Sequence, residues 1–395
     1  KSLGLVAPVH YYPKLYELLL IAVSGLHDTS VIFGVSLIVL VMVALACMAL
    51  VAPLGLGFRT RVLLVALAVT VPAIANAALS PKPDLFMAFV LLVACIDATR
   101  FAREGAISAL PWVVTSLMLA FASKLSAPQY ILAIALGMLA IWLRNGRPWR
   151  HDDASERRFG VAIALAAVVV AVFVTARTWI LAGVPLVGPE PLLDLFAKLG
   201  MTLKPPVGLL EAGTPVGWDA WPELVTDQLF RPQRLDHMVI TWIGNVWLYL
   251  FAIAIAAPLL VQRPANAPRV PAIWWIVMLV ALALLLTFTT KTRGGEGNYF
   301  VLPVALAILA SGALAIGGLA PGMAKRLVLA MLPFFVVSQA FYSFISASWV
   351  PGTRAFDFDL SRPVRDLQRQ KQRLFERYGI ANIATYIDAV PGVPR

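Results

Sequence analysis

The chain has 395 residues, 60% of them hydrophobic and only 13% charged, with a mean hydropathy of +0.82. Soluble domains carry about 25% charged residues, so the composition excludes an ordinary soluble enzyme, a disordered tail and a disulfide-stapled secreted module. A formal charge of +11 would point to nucleic acid in a soluble protein; in so apolar a chain the placement of the basic residues carries the meaning, and no nucleic-acid partner is expected.

In chain order, residues 1–29 come first as an outer segment. Positions 10–26, HYYPKLYELLLIAVSGL, carry apolar residues at helical spacing with tyrosines and a lysine near the start, the pattern of a helix lying in the membrane interface. Ten apolar stretches follow within a bundle over residues 30–346: 30–54, 62–79, 85–99, 107–123, 129–143, 161–181, 238–261, 271–290, 299–319 and 327–345. A bilayer crossing takes ~20 residues of helix. The stretches 85–99 and 129–143 are short for that, and flanking helix, tilt or local thinning would complete them. Leu, Ala and Val dominate throughout, without the alternation of barrel strands. The expected fold class is therefore all-α, a polytopic transmembrane helical bundle.

The connections sort by charge. Arg59 and Arg61, Arg100 and Arg103, Arg144 to Arg158, Arg263 and Arg269, and Lys325 and Arg326 occupy one set of loops; the short loops of the other set hold Lys82, Lys124, Lys291 and Arg293. The two sets alternate strictly, and the positive-inside rule assigns the first to the cytoplasm. Residues 1–29, the long loop 182–237 and the tail 347–395 then face outward. An even number of crossings puts both ends outside, which predicts either a further helix upstream or a cleaved signal sequence. The loop 182–237, with Trp218 and Trp221, is expected to form short interfacial helices over a cavity mouth. In the tail, 362–378 is expected to be a charged helix started by Pro363 and stopped by Gly379, and the tail to begin a further outer domain.

Cys47 and Cys95 lie inside apolar runs and behave as small buried hydrophobes. No phosphate-loop, nucleophile-elbow or zincin motif is present. The four histidines are scattered. What recurs is ionisable side chains at the outer ends of helices: Lys82 and Asp84 in the turn Ser80-Pro81-Lys82-Pro83-Asp84, Lys124 after 107–123, Arg177 a turn inside the end of 161–181, and Lys291, Arg293, Glu296 and Asn298 before Tyr299. Charges near hydrocarbon are costly and face a cavity or a partner unless they snorkel to headgroups. Cations gathered at one depth suit an anion, phosphate above all. Asp97, near the inner end of its helix, is expected to pair with Arg100.

Three stretches resemble the GT-C glycosyltransferases, polytopic enzymes that use lipid-linked sugars and include protein mannosyltransferases and aminoarabinose transferases. They are HYYPKLYELLLIAVSGL at 10–26, LSPKPDLFMAF at 79–89 and GNYFVLPV at 297–304, with a weaker match in ARTWILAGVP at 176–185. The resemblance implies a bacterial inner-membrane enzyme with its site toward the periplasm. There a polyprenyl-phosphate-linked sugar donor meets a lipid, glycan or protein acceptor. It implies a catalytic role for Asp84, and substrate or phosphate binding by Lys82, Lys124, Arg177, Lys291, Arg293, Asn298, His10 and Tyr11. Some members use a divalent cation, though no paired acid cluster here demands one. The family's main catalytic Asp precedes the position of His10, where residues 1–9 hold no acid, and Tyr299 stands where many relatives have Arg. The competing expectations are a transporter of envelope lipid or polysaccharide and a non-catalytic GT-C-like subunit of a larger complex. Charges at one face and the lack of a visible repeat favour the enzyme over the transporter.

Overall fold

The computed structural model describes residues 13–24, 30–78, 83–145, 154–187, 190–204, 244–260, 269–289 and 299–345, with isolated positions within 219–267. Among them are thirteen α-helices: α1 (Leu15–Ser24), α2 (Ser30–Val51), α3 (Phe58–Val69), α4 (Pro72–Ala78), α5 (Asp84–Glu104), α6 (Ala109–Ser123), α7 (Ala127–Asn145), α8 (Ala154–Ala182), α9 (Glu190–Lys198), α10 (Val246–Leu260), α11 (Ala272–Thr289), α12 (Val301–Gly317) and α13 (Met323–Ile345). The chain is all-helical over these residues. Five helical segments are long and apolar enough to cross a membrane: Gly34–Leu54, Asp84–Glu104, Ala127–Arg144, Ala154–Ala182 and Met323–Phe341. Each of the ten apolar stretches read from the sequence is matched by a helix or, in one case, by a bent pair.

The stretches 85–99 and 129–143 are completed by flanking helix, as expected: their helices run 21 and 19 residues, because the polar turns Arg100–Glu104 and Arg144–Asn145 stay helical. One expectation is corrected: the stretch 62–79 is not one helix. It breaks between α3 and α4 with a bend of 73°. Pro72 opens α4 at the position where a missing N–H costs nothing, and it disfavours helical backbone at Val71. Thr70 closes α3, its Oγ1 donating back to the carbonyls of Ala66 (2.8 Å) and Leu67 (3.1 Å). From α13, Ser343 Oγ donates to the Thr70 carbonyl, meeting one of the backbone groups the break leaves over.

α12 is the axis of the bundle. Nearly every one of its residues is buried, and an all-round apolar helix is stable only when enclosed. It packs on α3, α10 and α11. Its small residues let those helices come close. At Gly312 an added Cβ would stand 2.4 Å from Leu64 Cδ2, itself fully buried on α3. Gly312→Ala is therefore expected to lower stability by about 1–3 kcal/mol through overpacking, read as a fall in the thermal unfolding midpoint of the detergent-solubilised protein.

α8 shows the opposite arrangement. Gly160, Ala164, Ala167, Ala171, Val174, Thr178 and Ala182 form a buried stripe, and the helix packs on α6. Leu165, Val169, Val172 and Phe173 stand exposed on the other side, as lipid contact requires.

Helix ends that loop charge assigns to the same face are in contact. At the end of the bundle where α5 begins, Tyr16 of α1 stacks on Phe86 of α5 at 5.6 Å and its hydroxyl shares a hydrogen bond with Ser36 of α2 at 3.3 Å. At the opposite end Arg100 of α5 grips Glu156 of α8 through two bonds of 2.6 and 3.1 Å. Trp274 Nε1 of α11 donates to Thr99 Oγ1 at 3.1 Å. Arg100 thus hydrogen-bonds to Glu156 from another span, and to Ser108 Oγ at 3.5 Å, where the sequence pointed to Asp97. The tail 347–395 and most of the loop 182–237 lie outside the described residues. Within that loop α9 folds back on the end of α8, where Leu193 and Phe196 pack on Ala182, Val184 and Val187.

Candidate functional site

Asp84 is the first residue of α5, following Pro83 as N-cap. A carboxylate there is favoured by the helix dipole. It is only 2% exposed, and a buried carboxylate is stable only with a partner. Lys124 supplies the charge. It ends α6 in an extended conformation, so that the chain turns at once into α7; its N–H bonds back to the Ala120 carbonyl at 3.2 Å, and its carbonyl accepts from the Ala127 N–H at 3.1 Å. This tight turn swings the ammonium sideways onto Asp84 Oδ1, forming an ion pair.

An aromatic wall closes the pair on a third span. Lys124 Nζ lies 4.4 Å from the centre of the Tyr299 ring, a cation–π contact. Tyr130, fully buried in the second turn of α7, donates its hydroxyl to the Tyr299 carbonyl just before α12. One carboxylate, one ammonium and two tyrosines thus tie together α5, α6, α7 and α12 at one end of the bundle. The Ser126 hydroxyl lies against Met87 Sδ at 3.7 Å on the same α5–α7 seam. Beside the cluster α1 presents Tyr16 to Phe86. Burial raises the Tyr16 phenol above its ordinary pKa, so it stays a neutral hydrogen-bonding group through the physiological range. Lys14, just before α1, pairs with Glu17 in its first turn at 2.8 Å.

Of the residues singled out by sequence, the structure brings Asp84 and Lys124 into contact. Arg177 is half-buried near the C-terminal end of α8, the helix that packs on α6. Lys82, Lys291, Arg293, Asn298, His10 and Tyr11 lie outside the described residues. Chain connectivity brings Lys82 within two residues of Asp84, and Asn298 precedes Tyr299 directly. The sequence reading missed Tyr130, which does not stand out among the chain's nine tyrosines, and it marked Tyr299 only as standing where relatives have Arg, not as a ring for the Lys124 ammonium.

Gln339 is a second omission. It is fully buried on α13, one turn before Ser343 and so near the α3–α4 break, and neither amide atom has a hydrogen-bond partner among the described residues. Gly244, at φ 72°, fits against this amide; a Cβ there would stand 2.7 Å from Nε2.

Chemically, the cluster can hold a proton acceptor and a cation side by side at the edge of hydrocarbon. Among the described residues no three of His, Cys, Asp and Glu come together. The described part of the cluster does not fit a divalent cation, because the Asp84 carboxylate is already neutralised by Lys124. No family model, curated protein or solved structure matches the chain.

Proposed function

We propose that this chain is a membrane glycosyltransferase that moves a sugar from a polyprenyl-phosphate donor to an envelope acceptor at the extracytoplasmic face of a bacterial inner membrane. One observation carries the reading: the buried Asp84–Lys124 pair at the outer ends of four helices, with Tyr299 against the ammonium. In the reaction the acceptor hydroxyl oxygen bonds to the anomeric carbon as the bond from that carbon to the phosphate oxygen breaks, with inversion. The hydroxyl proton passes to a carboxylate, and the electron pair leaves with the phosphate. Asp84 is the described group able to accept or orient that proton, and Lys124 the one able to meet the charge that grows on the leaving phosphate. Lys82, Lys291 and Arg293 would add cations from the neighbouring outer loops. Because the two described groups are paired at rest, donor phosphate would draw the Lys124 ammonium off Asp84 and release the carboxylate for its role.

The test is transfer of labelled sugar from polyprenyl-phosphate donors in membranes containing the full protein. Wild type is expected to transfer, and Asp84→Asn and Lys82→Ala are expected to abolish transfer while inserting normally. Unchanged transfer by both variants removes the site assignment.

A second reading is favoured by the 2% exposure of Asp84: a non-catalytic membrane subunit in which the pair only fastens spans together. A variant that keeps the pair but exchanges its members separates the two.

A further inference from the structure

At the opposite end of the bundle a cleft of about 450 Å³ opens where three spans finish. Its lining includes Pro53, Leu54 and Gly55 after α2, Arg103 in the last turn of α5, and Arg269 and Pro271 leading into α11. Chain order does not bring these segments together; the packing of α5 against both α2 and α11 does. Both arginines are exposed. Among the described residues that line the cleft none is acidic.

We infer that this cleft seats the phosphate of an anionic phospholipid from the leaflet at the arginine-rich end of the bundle. Two guanidinium groups from separate elements match a phosphate diester, whose oxygens accept their forked N–H donors. The rim is shaped for a membrane ligand. Gly55, at φ 71°, and Gly57 present no side chain, and a Cβ at either would meet nothing within 4 Å. Beyond them Phe58 is 66% exposed, and Val62 one turn on is exposed as well, an apolar flank for acyl chains. Arg61 lies over the Phe58 ring at 5.9 Å, adding positive charge at the same depth. The cleft has room for a headgroup, and acyl chains would run outside it. A soluble anion would gain the arginines but nothing from this flank.

The test uses the full protein in detergent micelles, titrated with phosphatidylglycerol or phosphatidylcholine and read by native mass spectrometry. Phosphatidylglycerol is expected to bind saturably and phosphatidylcholine far more weakly. Arg103→Gln with Arg269→Gln is expected to weaken phosphatidylglycerol binding about 25-fold, about fivefold for each charge. Arg144→Gln with Arg158→Gln, two exposed arginines at the same end but outside the cleft, is expected to leave it unchanged. The inference is overturned by equal binding of the two lipids, by unchanged binding in the cleft variant, or by an equal loss in the control variant. Displacement of the lipid by millimolar inorganic phosphate would make this a free-phosphate site and overturn the lipid assignment.

Discussion

Replacing Lys124 with methionine is expected to destabilise the protein by about 3–5 kcal/mol, the cost of stranding one member of a buried ion pair. Asp84 is 2% exposed and the Lys124 side chain 13%, so solvent cannot take over the role of the missing ammonium. The carboxylate must then stay charged and unpaired or take up a proton, and both disfavour the native packing. The loss reaches four helices, because the same ammonium faces Tyr299, whose carbonyl holds Tyr130. Adding Asp84→Leu to Lys124→Met should recover most of the stability, since removing both charges also removes their desolvation cost. Thermal unfolding of Lys124→Met, Asp84→Leu and the double variant beside wild type in one detergent measures this as a coupling energy. Additive losses would mean that the two groups do not stabilise each other.

Exchanging the pair, Asp84→Lys with Lys124→Asp, is expected to reduce sugar transfer at least 100-fold with a far smaller loss of stability than Lys124→Met alone. The attraction survives the exchange, but a proton-accepting carboxylate is worth its usual factor of about 10²–10⁴ only within reach of the acceptor hydroxyl. The lysine placed at position 84 would also sit at the positive end of the α5 dipole, which adds a modest penalty. If the protein is instead a non-catalytic subunit, the exchanged pair still fastens α5 to the α6–α7 turn and cellular function persists. Transfer and unfolding midpoint, measured on the same preparation, therefore divide the two readings.

The spans were legible because hydrocarbon imposes a length and an apolarity that few soluble sequences satisfy. The break at Thr70 was not, although Pro72 is in plain view: Val71, Pro72, Ala73 and Ile74 keep the window apolar, and hydropathy is blind to backbone direction. Groups that loop charge assigns to one face touch one another, as Tyr16 does Phe86 and Arg100 does Glu156. Pairing within a face was harder. Asp84 and Lys124 each stood out as charges at the margin of hydrocarbon, but they lie 40 residues apart, and several cations at that depth were equally plausible partners for one carboxylate. Only the packing of α5 against α6 selects Lys124. For Arg100, sequence proximity favoured Asp97 one turn away; the longer reach of Glu156 from the first turn of α8 won instead. Tyr130 had no signal at all, because its role is a bond to a backbone carbonyl that any sequence would offer.

The most direct measurement is photolabelling of the full protein, in its membrane, with a photoreactive polyprenyl-phosphate analogue followed by peptide mapping. The proposed site predicts label concentrated on the segments around 83–87, 124–130 and 299–303, competed by unlabelled polyprenyl phosphate and sharply reduced in Lys124→Gln. Label spread along lipid-facing positions such as Val169, Phe173 and Val337, and indifferent to Lys124→Gln, would contradict it.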